Sequence, residues 1–272
     1  MSNWTLESID WDRFDASKVD SEILRNIKAA AMVERNGADY GIYLSRVFAD
    51  EPAFIDEVAG WVAEEVQHGM ALGRWAQLAD PAWDFDAAFA RFRAGYQLPL
   101  DVARSVRGSQ AGEMMARCIV ETGTSSYYSA LKDATEEPVL KQVCSRIAAD
   151  EFRHYKMFYG HMRRCLKRDR LSRLRRLWIG WTRVAESEDD ELAYAYFAAN
   201  ALPDAVYDRT RATDAYARRA FPLYRPDHIQ LAIAMGLKAV GLRPQGWLNR
   251  VMTRASLWFI GRRSRRLIAA NA

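Results

Sequence analysis

The clearest candidates for functional chemistry in this chain are two copies of a Glu-x-x-His motif, because a carboxylate and an imidazole at this spacing can bind one metal ion. The first copy is Glu65 with His68, and the second is Glu151 with His154. In a helix, residues three apart lie one turn from each other on the same face, so both side chains of a copy point the same way. One copy alone would mean little, since Glu and His often meet at this spacing on a solvated helix face.

A single glutamate precedes each copy in an otherwise apolar helical segment, Glu34 before the first and Glu121 before the second. Two Glu-x-x-His pairs and two single glutamates form the ligand set of di-iron and di-manganese sites in helical bundles. The sequence therefore predicts a two-metal site with six ligands: Glu34, Glu65, His68, Glu121, Glu151 and His154.

The spacing of these glutamates from two predicted turns supports this interpretation. Glu34 lies sixteen residues before Asp50, at a turn that ends in a proline, and Glu65 lies fifteen residues after it. The second turn is centred on Glu136, and the two glutamates of that hairpin each lie fifteen residues from it. Each antiparallel hairpin then places its two glutamates at one height, roughly 22–24 Å from the turn at 1.5 Å per residue.

Buried carboxylates also explain why metal is expected. Four clustered glutamates in an apolar bundle would be very unfavourable without cations, since each buried ion costs several kcal/mol. Two divalent ions cancel the four charges, so metal should stabilise the fold. Oxygen-rich ligation with one imidazole per ion suits iron, or manganese, better than zinc.

Helical periodicity and the positions of prolines predict the elements that carry the ligands. We expect an all-α fold, a ferritin-like four-helix bundle with additional C-terminal helices. The long connection between the second and third long helices fits this topology, which has one crossover, and a short amphipathic helix is predicted within it. Residues 1–170 are expected to form the bundle with an N-terminal lead-in, and 171–272 a basic helical extension packed on it. The predicted bundle helices cover 21–49, 52–78, 99–131 and 138–165, and the short one 84–94.

Several neighbours of the ligands have two possible roles. Glu64 and Asp150 each precede a ligand glutamate and could hydrogen-bond a ligand histidine of another helix. We favour this role for Asp150 and a solvent-facing acid for Glu64. Thr124, one turn after Glu121, could act on oxygen at the metals or bond its own helix backbone. The face that continues from Glu34 carries two glycines, which provide either close helix packing or space for oxygen or substrate: Gly37 and Gly41.

The two motif helices, 61–69 and 143–154, resemble the ligand helices of the soluble acyl-acyl carrier protein desaturases. Glu121 with Thr124 is similar to the third ligand and the active-site threonine of that family, and the resemblance covers roughly residues 20–165. It implies a ferritin-like, homodimeric di-iron enzyme that desaturates an acyl chain on acyl carrier protein, using oxygen and electrons from a ferredoxin. It also implies that Trp61 and Asp150 are linked to electron delivery. The N-terminal part is shorter than in the plant enzymes, and no resemblance extends past about residue 170.

Three functions remain open from the sequence. The first is an oxygen-dependent di-iron oxidoreductase, desaturase- or hydroxylase-like, that acts on an acyl or other apolar substrate in fatty acid metabolism. The second is a ferritin- or rubrerythrin-like ferroxidase or peroxidase, although the cysteine pairs of rubredoxin-type sites are absent from the sequence. The third is a non-enzymatic helical protein that binds a membrane or an acidic partner through its basic C-terminal third.

The composition indicates which cellular compartment and which binding partners to expect. The 272 residues have a formal net charge of +4, and about half of them are hydrophobic. The three cysteines show neither close pairing nor zinc-site spacing, which favours reduced core thiols and a cytoplasmic protein. The start of the sequence lacks the features of a signal peptide, and no apolar run approaches the ~20 residues of a membrane span. We expect no nucleic-acid partner.

The basic C-terminal region is a weaker candidate site. From His228 onward the chain has no Asp or Glu, and apolar residues between 247 and 260 precede a cluster of arginines. These could dock to acyl carrier protein, a ferredoxin-like donor or, as a peripheral contact, an anionic membrane. Alternatively, the apolar residues pack on the bundle and the arginines are only solvated. The cluster comprises Arg262, Arg263, Arg265 and Arg266.

Overall fold

The chain folds almost entirely into helices in this computed structural model, which describes residues 4–186, 190–202 and 204–269. No strand occurs within these ranges, so the prediction of an all-α fold is confirmed for them. The α-helices are α1 Ser21–Arg35, α2 Gly37–Val47, α3 Pro52–Ala79, α4 Phe85–Gly95, α5 Gln110–Ala134, α6 Pro138–Asp169, α7 Arg173–Ala185, α8 Asp190–Asn200, α9 Arg209–Ala220, α10 Pro226–Val240 and α11 Trp247–Ala269.

Local sequence signals account for most of these boundaries. Both α3 and α6 begin with a proline, whose fixed φ and missing N–H suit the first helical position. Asp84 caps α4 by accepting a hydrogen bond from the backbone N–H of Ala87. The helix predicted over 21–49 is interrupted at Asn36, whose N–H reaches the carbonyl groups of Met32 and Val33 and so tightens the last turn of α1. The first single glutamate therefore lies in the last turn of a helix rather than in its middle.

The predicted start of the third long helix at Pro99 is wrong. Residues 96–109 are not helical, and α5 begins only at Gln110. Gly108 has a φ of 87°, in the left-handed region that an α-helix cannot pass through. Ser109 is extended, and its hydroxyl accepts a hydrogen bond of 3.1 Å from the N–H of Gly112. The Ser109 cap, rather than Pro99, therefore defines the start of α5.

Two apolar clusters fill the space between α1, α2, α3, α5 and α6. One contains Leu72 and Trp75 of α3, and the other contains Val58 and Trp61 of the same helix. The segment between these pairs on α3 carries the first Glu-x-x-His motif, and the second motif divides α6 in the same way. The bundle core is therefore interrupted by one polar layer, which holds both motifs at one level.

The C-terminal helices pack against the outside of these helices. Helices α7 and α10 both lie on α5, α8 lies on α1, and α11 lies on α10. Both α7 and α10 contact the same side chain of α5, because Gly180 and Gly236 each lie next to Ile119. None of the helices within the described ranges combines the length and the apolar character needed to cross a membrane.

Candidate metal centre

The six side chains predicted as ligands converge in the polar layer, from four helices. Their ligand atoms form two groups, and within each group the atoms lie within 4.8 Å of one another. Glu65 and Glu151 belong to both groups, so each could bridge two metal ions. The first group is Glu34, Glu65, His68 and Glu151, and the second is Glu65, Glu121, Glu151 and His154.

Each of the six side chains has one buried polar atom without a hydrogen-bond partner. Such atoms are rare in folded proteins and require an explanation. They face one another: His68 Nδ1 lies 3.5 Å from Glu34 Oε2, and His154 Nδ1 lies 3.1 Å from Glu65 Oε1. A set of carboxylate oxygens and imidazole nitrogens that all point at one enclosed volume fits a pair of cations. The unpartnered atoms are Glu34 Oε2, Glu65 Oε1, His68 Nδ1, Glu121 Oε2, Glu151 Oε1 and His154 Nδ1.

The other ring nitrogen of each histidine is held by a carboxylate. His68 Nε2 lies 3.0 Å from an oxygen of Asp150, and His154 Nε2 lies 2.7 Å from an oxygen of Glu64. Each acid precedes a shared glutamate on one helix and contacts the histidine of the other helix. A carboxylate on Nε2 retains the proton there and leaves Nδ1 free as a metal ligand. The favoured assignment of Glu64 as a solvent-facing acid is therefore wrong, whereas the role favoured for Asp150 agrees with its contact.

Arg153 links these two acids and was not identified from the sequence. Its guanidinium bonds Asp150 and also lies 3.3 Å from Glu64. One cation thus ties together the two carboxylates that orient the histidines. Its place between Glu151 and His154, within the second motif, was the available signal.

Trp4, rather than Trp61, is the indole next to Asp150. Trp4 donates its Nε1–H to Asp150 Oδ2 over 2.8 Å and stacks on the His68 ring at 6.0 Å, with the planes 4° apart. Trp61 lies edge-on to His154, and its buried Nε1 has no hydrogen-bond partner. Because Trp4 belongs to an irregular segment 146 residues from Asp150, helical periodicity could not identify the contact.

Two hydroxyl groups contact the ligands. Thr124 donates to Glu151 and also lies 3.3 Å from the backbone carbonyl of Glu121, so it has both a ligand contact and a backbone contact. Tyr128 donates to Glu34 Oε1 over 2.5 Å and was not identified from the sequence. Its position seven residues, or two turns, after Glu121 was the signal that could have indicated it.

The glycines after Glu34 provide close packing rather than open space. A Cβ atom at Gly37 would lie 2.5 Å from the Cβ of Glu65, and one at Gly41 would lie 2.3 Å from a methyl carbon of Val62. Real Cβ atoms essentially never approach so closely. Helix α2 therefore lies directly on α3, and Gly37 sets the position of a ligand that belongs to both groups.

Without metal, burial and the neighbouring carboxylates change the protonation of the site. Burial raises the pKa of Glu65 well above its ordinary value, and it raises the pKa of Glu121 from 4.5 to about 8, with the charge of Glu151 acting in the same direction. Burial alone would lower the pKa values of His68 and His154, but the surrounding carboxylates outweigh this effect and raise both. Burial would raise the pKa of Glu151, but the proximity of the two histidines lowers it. The raised pKa values favour the protonated forms of Glu65, Glu121 and both histidines.

A second group with metal-binding residue types is Asp133, Asp227 and His228. Both nitrogens of this histidine are already used, because Nδ1 accepts from the backbone N–H of Arg225 over 3.1 Å and Nε2 lies 3.0 Å from Asp133. A metal ion would have to displace one of these bonds. We therefore interpret His228 as the cap that ties the start of α10 to α5.

The predicted C-terminal arginine cluster is only partly exposed. Arg263 pairs with Asp214 over 3.6 Å and lies over the ring of Phe221. Arg262 lies over the ring of Trp258, while Arg265 and Arg266 are exposed. Large apolar side chains of α11 do not pack on the bundle as the alternative required: Trp247, Val251, Met252, Trp258 and Phe259 are exposed.

The three cysteines are buried free thiols, as expected from the sequence: Cys118, Cys144 and Cys165.

Comparison with family models and with curated proteins finds no match for this chain.

Proposed function

We propose that this protein is a ferritin-like di-iron oxidoreductase that uses oxygen to desaturate or hydroxylate an acyl or other apolar substrate. The observation that carries the proposal is the set of six buried, unpartnered ligand atoms that face one another, with two glutamates common to both groups. Unrelated buried acids would be expected to have hydrogen-bond partners or to reach solvent.

The six ligand residues would hold two metal ions. Glu34 and His68 would bind one ion, Glu121 and His154 the other, and the shared Glu65 and Glu151 would bridge them. The four carboxylates balance the charge of two divalent cations, and the oxygen-rich set favours iron, or manganese. When bound, iron would supply oxygen activation and the removal of hydrogen from carbon.

The protein environment supports chemistry on an apolar substrate. The apolar clusters above and below the polar layer exclude water from the ligands, five of which are less than 5% exposed. A cleft of about 220 Å³ is bordered by α5, α6 and α10, and its lining includes Ser125 and Phe152, the residues that follow Thr124 and Glu151. Leu231 and Met235 of α10 form an apolar wall of this cleft.

The resemblance to the acyl-acyl carrier protein desaturases extends the proposal to the remaining components. On that basis the substrate would be held on acyl carrier protein, the electrons would come from a ferredoxin-like donor, and the enzyme would be a cytoplasmic homodimer.

Metal analysis of the purified protein tests the proposal. We expect two iron ions per chain, lost at one or both positions in Glu65→Ala and in Glu151→Ala. Glu57→Ala is the matched control, because Glu57 lies on α3 as well but is 48% exposed. Unchanged content of two ions in both ligand variants would refute the site.

Oxygen consumption by the reduced protein separates the possible reactions. Consumption that depends on an acyl substrate and yields an oxidised acyl product is expected. Turnover that requires only ferrous iron or peroxide would instead support a ferroxidase or peroxidase, and iron binding without turnover would support a non-enzymatic role.

A further inference from the structure

Helix α7 presents its main apolar face to solvent rather than to the bundle. Four large apolar side chains on this face are exposed: Leu174 by 79%, Leu177 by 39%, Trp178 by 59% and Trp181 by 70%. They lie at spacings of three and four residues, which places them along one side of the helix. The apolar face of α7 is defined here by these four residues.

The opposite side of α7 attaches it to the protein. Ile179 is buried, and Gly180 lies within 3.3 Å of the Met115 side chain, measured from an ideal Cβ position. Arg176 is on this side too, and its guanidinium reaches the backbone carbonyl of Ala239 over 3.4 Å. A surface helix usually directs its apolar side to the core and its charged side to water. Helix α7 is oriented the other way, because its inner side carries only Ile179 among large apolar residues, together with Gly180 and Arg176.

Positive charge surrounds the apolar face. No Asp or Glu occurs between Arg170 and Ala185, and this stretch contains five arginines. Arg170, Arg173 and Arg175 are exposed, as is Lys167 in the last turn of α6, and none of the four forms an ion pair with another described residue. A helix with Trp and Leu on one face and flanking arginines has the composition of helices that lie in the surface of an anionic membrane.

We propose that the apolar face of α7 docks the protein on an anionic lipid surface. Trp178 and Trp181 would lie at the level of the headgroups, where an indole has both apolar and polar surroundings. Arg173 and Arg175 would pair with lipid phosphates beside them. The contact is peripheral, in agreement with the helices of the described ranges, none of which could span a bilayer. The proposal does not depend on the metal centre, which uses other residues.

The positive charge beside the apolar face favours an anionic lipid surface over a second copy of the chain as its partner. A two-fold interface through the apolar face would bring equivalent surfaces together. Both surfaces would then carry the same unpaired arginines, Arg173 and Arg175, and like charges brought together at an interface are unfavourable. An anionic lipid surface meets the same arginines with opposite charge.

Co-sedimentation of the full chain with vesicles tests the proposal. The vesicles contain either phosphatidylcholine alone or phosphatidylcholine mixed equally with phosphatidylglycerol. We expect binding to the anionic vesicles only, with affinity that falls as salt is added, because salt screens the charges. Absence of binding by the wild-type protein to the anionic vesicles would overturn the proposal.

Variants of α7 locate the contact. Trp178→Gln with Trp181→Gln should reduce binding to the anionic vesicles at least tenfold. The matched control is Trp247→Gln with Trp258→Gln on α11, exposed by 70% and 62%, which should not reduce it. Arg173→Gln with Arg175→Gln should reduce binding about thirtyfold, since each cation near an anionic surface contributes roughly a factor of five.

The charge variant has its own control on α11, Arg262→Gln with Arg265→Gln, which removes the same net charge elsewhere. Equal losses in the α7 variants and their controls would show that general charge or hydrophobicity is responsible and would overturn the assignment to α7. Light scattering measures the oligomeric state of the wild-type protein and of the tryptophan variant. If the wild type is a dimer that does not bind the vesicles and the variant is a monomer, the face is a self-association surface and the proposal fails. Unchanged melting temperatures establish that each variant is folded.

Discussion

Substitution of Gly37 by alanine should weaken metal binding at the proposed site without changing any of the six proposed ligands. The new Cβ would lie 2.5 Å from the Cβ of Glu65, where ordinary contacts begin at 3.4 Å. Either the whole of α2 or the backbone of α3 must therefore move by about 1 Å, because neither atom lies at the end of a flexible side chain. Overpacking of this kind costs roughly 1–3 kcal/mol.

Gly123→Ala is the matched control. Gly123 lies on α5 between Glu121 and Thr124, and a Cβ there would meet nothing within 4 Å. The control should therefore gain the roughly 0.5–1 kcal/mol that alanine contributes over glycine inside a helix. The two variants are the same chemical change within the same polar layer, so the difference between them measures the helix contact at Gly37.

Two assays of both variants test the reasoning. Thermal unfolding of chelated protein should show a lower melting temperature for Gly37→Ala and an unchanged or higher one for Gly123→Ala, by roughly 2–4 °C for each kcal/mol. Titration with ferrous iron under exclusion of oxygen should show affinity reduced roughly 10–100-fold in Gly37→Ala, as when other supports of metal ligands are lost. If Gly37→Ala behaves like the control in both assays, close packing of α2 on α3 does not position Glu65.

Two further predictions concern pH and Thr124. In chelated protein, the pKa of Glu121 is about 8 rather than its ordinary 4.5, so its proton stabilises the fold fully below about pH 4.5. That contribution is lost as pH rises from about 4.5 to about 8, whereas metal-loaded protein should not lose it, because cations replace the protons. Melting temperatures across this range should therefore diverge between the two forms, and parallel curves would contradict the buried cluster. Thr124→Val removes the hydroxyl that donates to Glu151 but retains the shape. It should retain both metals and lose about tenfold or more of the oxygen-dependent turnover, and unchanged turnover and coupling to product would limit Thr124 to a structural role.

The clustering of the six side chains could be predicted from the sequence because each part of it depends on local geometry. Residues three apart share a helix face whatever the helix packs against, so Glu65 with His68 and Glu151 with His154 were identifiable pairs. Rise per residue is equally independent of context, and the equal distances from the two turns placed the four glutamates at one level. The structure brings these six side chains together.

Contacts between distant segments could not be predicted in this way. The position of Glu64 next to His154 depends on how α3 and α6 are rotated against each other, and the sequence of α3 alone favoured solvent for it. Trp4 reaches Asp150 from a non-helical segment that has no periodic pattern. The start of α5 depended on competition between two local signals, Pro99 and Ser109, and the serine cap prevailed.

Orientation of α7 was also decided only by the tertiary structure. Its sequence is strongly amphipathic, and amphipathicity shows that two faces differ without showing which one packs inward. The periodicity follows from the backbone geometry of the helix and can be seen in a stretch of about a dozen residues without knowledge of its surroundings. The direction a face takes depends on the shapes of α5 and α10, where the small side of α7 at Gly180 fits beside Met115 and Ile119 and its tryptophans do not.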